Sequence, residues 1–175
     1  MQVYLVRHTE TICHKGICYG QSEVELKSDY LVEFEKIKAQ LPKEAVVYSS
    51  PLKRCKLLAE YLSSGQTINY DSRLQEMNFG TWEMQPWNAI PETELNPWME
   101  DFVNVKVPSG ESFTELYTRV VSFLNDCSLQ DQSKATIIVA HAGVIRSILC
   151  HFTHLPLQDA FTNKVDFGAV ITVQI

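Results

Sequence analysis

Val3-Tyr-Leu-Val-Arg-His8 and Thr136-Ile-Ile-Val-Ala-His141 are built alike: a short, unbroken apolar run rich in β-branched residues that ends abruptly at a histidine. Ala45-Val-Val-Tyr48 is a third such run, followed by Ser49-Ser-Pro-Leu-Lys-Arg54. Continuous rather than alternating hydrophobicity marks strands covered on both faces, as in a parallel sheet. Thr67–Tyr70 and Ala169–Val173 read as further strands. Between them lie helical spacings. Tyr30, Phe34, Ile37 and Leu41 form one face, stopped by Pro42. Leu52, Cys55, Ala59 and Leu62 form a second, with Ser50 as N-cap, Pro51 as first helical residue and Gly65 as terminator. Leu116, Val120, Phe123 or Leu124, and Cys127 form a third, opened by a Ser112/Glu115 capping box. Strands alternating with helices predict an α/β fold, a three-layer α/β/α sandwich around a mostly parallel sheet.

Residues 71–108 break this alternation. They have no clean period, contain Pro86, Pro91, Pro97 and Pro108, and hold Trp82, Trp87 and Trp98. The segment reads as a small helical cap inserted into a single domain spanning 1–175. Its tryptophans read as the apolar core of that cap, with stacking of Trp82 or Trp87 on a flat leaving group as the alternative.

At 175 residues the chain buries about 70% of its unfolded surface, enough for one core. Hydrophobic residues at 45% and charged residues at 21% exclude disordered, collagen-like and coiled-coil classes. Lys+Arg 15 against Asp+Glu 21 leaves a net charge of −6 with no compensating basic run, which argues against nucleic acid. The start has no cationic leader, and Ala135–Phe152 is interrupted by His141, Arg146 and His151, so neither a signal peptide nor a membrane span is expected. Five cysteines without a paired framework read as reduced thiols, and the expected location is cytoplasmic.

In an open parallel sheet, ligands bind beyond the carboxyl ends of the strands. The three runs deliver Arg7, His8, Arg54 and His141 there, and helices starting near Pro51 and Ala142 aim N–H groups at the same edge. Singly, each of these residues reads equally well as structural. Together they predict a cationic, hydrogen-bond-donating pocket suited to a phosphoryl group. Glu76, just after the third strand and flanked by Leu74, Met77 and Phe79, has the desolvated surroundings a proton donor needs.

Leu5-Val-Arg-His-Thr-Glu10, Tyr48-Ser-Ser-Pro-Leu-Lys-Arg54, Leu74-Gln-Glu-Met-Asn-Phe-Gly-Thr-Trp-Glu83, Pro108-Ser-Gly-Glu-Ser112 and Val139-Ala-His-Ala-Gly-Val-Ile-Arg146 together resemble, in that order, the motif set of the histidine phosphatase superfamily, with its phosphoglycerate-mutase-like fold. Gly16-Ile-Cys-Tyr-Gly-Gln21, Trp82-Glu83, Trp87, Ile90 and Trp98–Phe102 most resemble its alpha-ribazole phosphatase branch, which serves the nucleotide loop of cobalamin. The resemblance implies that His8 is the nucleophile that becomes phosphohistidine. It implies that Arg7, Arg54 and a charged His141 bind the phosphoryl oxygens, and that Glu76 is the acid and then the base. His14, Gly20, Gln21 and Ala142 would contribute to substrate binding. No metal or cofactor is implied, and the expected partner is a small-molecule phosphomonoester. Thr9, Ala142 and Ser109 stand where the family favours glycine, Glu23 where aspartate is common and His14 where asparagine is.

Three alternatives stay open. A mutase shares the site, although mutases of the family are longer and close it with a tail, whereas this sequence ends at Ile175 after its last strand. A broad sugar or metabolite phosphatase is the second. A phosphate- or metal-binding module using Cys13, His14, Cys18, Cys150, His151 and His154 is the third, but that spacing fits no zinc ribbon or finger.

Overall fold

The computed structural model describes residues 2–127 and 134–174; Met1, residues 128–133 and Ile175 lie outside it. The apolar runs form a sheet of five strands: β1 (Gln2–Arg7), β2 (Ala45–Ser49), β3 (Ile68–Tyr70), β4 (Ala135–Ala140) and β5 (Val170–Gln174), in the order β3-β2-β4-β1-β5. β3, β2, β4 and β1 run parallel, and β5 closes the β1 edge antiparallel.

Side chains of the central strands alternate between two apolar layers, as the two-residue pleat requires. Val3, Leu5, Tyr48, Ile138 and Ala140 face α4 (Phe113–Cys127) and α5 (Ala142–Thr153) through Leu116, Val120, Phe123, Val144, Ile145 and Ile148. Val6, Val47, Ile137 and Val139 face α1 (Tyr30–Lys38) and α2 (Lys53–Ser63) through Phe34, Ile37, Cys55, Leu58 and Leu62. The sheet is therefore covered on both faces, which is why its strands read as unbroken apolar runs.

The Ser112/Glu115 box forms as expected: Ser112 N–H donates to the Glu115 carboxylate at 2.8 Å, and Glu115 N–H to Ser112 Oγ at 3.2 Å. Two helix boundaries differ from expectation. α1 ends at Lys38 because the chain tightens there, Gln40 and Leu41 donating to Ile37 and Lys38 carbonyls three residues back. α2 starts at Lys53 rather than Pro51, since Leu52 is extended and acts as the cap residue. Ser50 Oγ accepts the Leu52 N–H at 3.3 Å and also lies 2.8 Å from His141 Nε2. The hydroxyl thus links the approach to α2 with the end of β4.

Residues 71–108 contain three short 3-10 turns and α3 (Glu92–Glu100), which has Pro97 within it. Trp82 is fully buried and donates its indole N–H to Glu94 at 2.9 Å, while Trp87 stacks on Trp98. The expected apolar core of this segment is present. Among the described residues no helix is long and apolar enough to cross a membrane.

Candidate active site

β1, β4 and β2 are neighbours in the sheet, with Arg7 level with Ala140 and Ser49 with Val139. The residues that follow them therefore emerge at one edge. A cavity of about 350 Å³ there is lined by Arg7, His8, Arg54, Glu76 and His141, with Glu10, Thr11, Cys13 to Ile17, Tyr19, Phe79, Trp87 and Phe167 around its outer wall.

His8 is 2% exposed, and its ring centroid is 5.2 Å from that of His141. Nδ1 lies 2.8 Å from the Thr9 carbonyl oxygen, which can only accept, so Nδ1 carries the proton and Nε2 holds the lone pair. Burial, followed by the nearby Arg54 charge, holds the His8 pKa well below the usual histidine value.

Arg54 is 1% exposed and forms no ion pair with a carboxylate among the described residues; it donates instead to the carbonyls of Ser22, at 2.9 Å, and Gly20. Arg7 donates to the Val165 carbonyl at 2.6 Å and lies with its Cζ 3.8 Å over the Phe167 ring. The Nε atoms of both guanidiniums are buried without a hydrogen-bond partner. Two cations held by neutral carbonyls keep their charge and spare donors for an anion.

His141 was expected to be charged. Burial, then the charges of Arg54, His8 and Arg7, instead push its pKa well below the usual value. Its ring is held by Ser50 Oγ and sits 3.4 Å from the Cys55 sulfur. The guanidiniums of Arg7 and Arg54 already crowd this edge with positive charge, so it takes an anionic group beside the ring to favour its protonated form.

Glu76 reaches the same edge, as expected, but its carboxylate meets backbone N–H groups rather than only apolar neighbours. Met77 N–H donates to Oε1 and Gly143 N–H, in the first turn of α5, donates to Oε2, both at 3.0 Å. Gly143 must be glycine for this approach, because a Cβ would collide with Oε1.

The substrate-binding expectations divide. His14 lines the cavity, but Gly20, Gln21 and Ala142 do not. Gln21 turns its amide to the Glu76 carbonyl at 3.0 Å, Gly20 packs against Met77 and carries the carbonyl that Arg54 uses, and Ala142 is buried at the start of α5. The site also uses residues that sequence reasoning missed. Ser50 holds His141, and Phe167 covers Arg7 and His8. Burial of the Glu83 carboxylate raises its pKa, but hydrogen bonds from the N–H groups of Gly20, Gln21, Ser22 and Phe79 and from Ser22 Oγ outweigh it and hold the pKa below the usual carboxylate range. Glu83 thereby fixes the loop whose carbonyls grip Arg54. Its place after Trp82 in the quoted block was the only signal. Among the described residues no group of three or more His, Cys, Asp or Glu is placed to hold a metal ion.

A relative from Hydrogenobacter thermophilus, assigned as a phosphoserine phosphatase, is 30% identical over 99% of this chain and 89% of its own length. A relative from Yersinia pestis, assigned as phosphoglycerate mutase GpmB, is 30% identical over 95% of this chain and 85% of its own. The solved alpha-ribazole phosphatase of Shigella flexneri superimposes with a TM-score of 0.90 at 23% identity, over 100% of this chain and 91% of that one, a likeness of fold. The model of the histidine phosphatase superfamily (branch 1) matches residues 3–175, and the chain belongs to that family.

Proposed function

We propose that the chain is a phosphomonoester hydrolase acting through a phosphohistidine on His8. The observation that carries this reading is the commitment of His8 Nδ1 to the Thr9 carbonyl, which leaves Nε2 as a neutral nucleophile among Arg7, Arg54 and His141. In this reading Nε2 attacks phosphorus as the ester oxygen departs, splitting one displacement into two. The spare donors of Arg7 and Arg54, with His141, hold the phosphoryl oxygens and the charge that develops on them. Glu76 gives its proton to the leaving alkoxide, then takes one from the water that attacks phosphohistidine and releases phosphate.

Phe79 and Trp87, set edge to face on the outer wall, offer apolar ring surface, which supports a base-bearing leaving group such as that of alpha-ribazole 5′-phosphate. The proposed location is the cytoplasm, supported by five free cysteines. Mutase action is the second reading, favoured by the relative assigned as phosphoglycerate mutase.

The test is a panel of alpha-ribazole 5′-phosphate, phosphoserine, phosphoglycerates and sugar phosphates compared by kcat/KM, with trapping of an acid-labile, alkali-stable phosphoprotein. Phosphate release and a phosphoprotein that disappears in His8→Ala are expected. Interconversion of phosphoglycerate isomers with little phosphate release would establish the mutase reading instead.

A further inference from the structure

The Pro108-Ser-Gly-Glu-Ser112 block lines no part of the cavity, and neither does Arg119 on α4. Their arrangement is nonetheless directed at the residue proposed above as acid and base. Arg119 Nε donates to Glu111 Oε1 at 2.8 Å and Nη2 to Glu111 Oε2 at 2.9 Å, a two-point ion pair with both side chains 19% exposed. The remaining donors go to the backbone that carries Glu76: Nη1 to the carbonyls of Arg73 and Gln75 at 2.6 and 2.7 Å, and Nη2 to that of Glu76 itself at 3.0 Å. Every N–H of the guanidinium is thus spent, three of them on three carbonyls within residues 73–76.

Glu111 secures the other side of the loop. Its Oε2 accepts Asn78 N–H at 2.8 Å, and its own N–H donates to the Asn78 carbonyl at 2.8 Å. Gly110 lets the two backbones approach this closely, since a Cβ there would collide with the Asn78 carbonyl. Residues 73–78 are therefore gripped on both sides of Glu76 by one ion pair.

We infer that the Glu111–Arg119 pair is a positioning device for Glu76, which sets the acid's place relative to the leaving oxygen without touching substrate. The inference rests on the proposed acid role of Glu76. A displacement of about 1 Å in a catalytic group can cost on the order of 10²-fold in rate, so a five-point clamp on its backbone has a kinetic consequence.

Leaving-group dependence tests this. Glycerol 2-phosphate expels an alkoxide that needs a proton, whereas p-nitrophenyl phosphate expels a phenolate that does not. kcat/KM, which ends at leaving-group departure, is compared for both esters in the wild type, Glu76→Gln, Arg119→Met and Arg119→Lys. Glu76→Gln and Arg119→Met are each expected to lose about 10²-fold on glycerol 2-phosphate and less than about 3-fold on p-nitrophenyl phosphate. Arg119→Lys keeps the charge but not the fork, and is expected to show the same selectivity at intermediate size. It also serves if Arg119→Met does not fold. Equal losses on both esters in the Arg119 variants, or none, while Glu76→Gln stays selective, would overturn the positioning role. A Glu76→Gln protein without selectivity would overturn the acid assignment, and the inference with it.

Discussion

At Gly143 the space left by the missing side chain is occupied by the Glu76 carboxylate, which accepts the Gly143 N–H. In Gly143→Ala the new methyl would meet the far end of that flexible side chain, with Leu116 Cδ2 3.1 Å away on another side. The helix should survive, since Gly143 lies in its first turn and alanine is a better helix former than glycine. The carboxylate should not stay in place. A loss of about 10- to 100-fold in kcat/KM on an alkyl phosphate, with an unchanged or raised melting temperature, is the expected outcome, read by steady-state kinetics and thermal unfolding of one preparation. Ser109 shows the same logic from the opposite side. The resemblance leads to an expectation of glycine there, and the Ser109 φ of +58° is left-handed backbone, which glycine adopts without strain.

Among the elements, the strands and the cap of α4 were legible because they depend on local pattern. All five expected strands formed within a residue of their expected ends, and Ser112 and Glu115 made both bonds of the expected box. Ser112→Ala removes the Oγ acceptor of Glu115 N–H and should cost about 1 kcal/mol, measured as a lower urea midpoint with an unchanged slope. The start of α2 was not legible. Ser50-Pro51 has the local form of a helix opening, but the Ser50 hydroxyl also meets His141, which is 91 positions away in sequence. A tertiary partner overrode a sound local signal. The grips on Arg54 and Glu76 were hidden for a related reason: their acceptors are backbone carbonyls, which every residue has and no sequence advertises.

On the scale of the whole molecule, the convergence of Arg7, His8, Arg54 and His141 was legible because topology requires it: they follow three adjacent parallel strands. The same crowding makes stability depend on pH. Burial and neighbouring guanidiniums lower the pKa values of His8 and His141, so the unfolded chain binds more protons wherever its histidines titrate, near 6.5. Stability is fully present above about pH 6.5 and falls as pH drops below it, by up to about 1.4 kcal/mol per pH unit for each histidine. Urea midpoints between pH 7.5 and 5.5 check this, and inorganic phosphate should flatten the decline by favouring a protonated ring. A decline equally steep in a His8→Asn, His141→Asn double variant would remove these residues as its source. The net charge of −6, which argues against polyanions, is irrelevant at this edge, where the arginines answer to carbonyls rather than carboxylates.

The placement of these groups on separate strands also bears on the order of folding events. Arg7 ends β1 and His8 follows it, Arg54 follows β2 and His141 follows β4, so an intermediate with any one of these strands undocked lacks part of the proposed phosphate site. On the proposed reading, phosphate binds only the completed sheet. It should then lengthen the lifetime of the native molecule by slowing unfolding, with the refolding rate, set before the site exists, expected to stay almost unchanged.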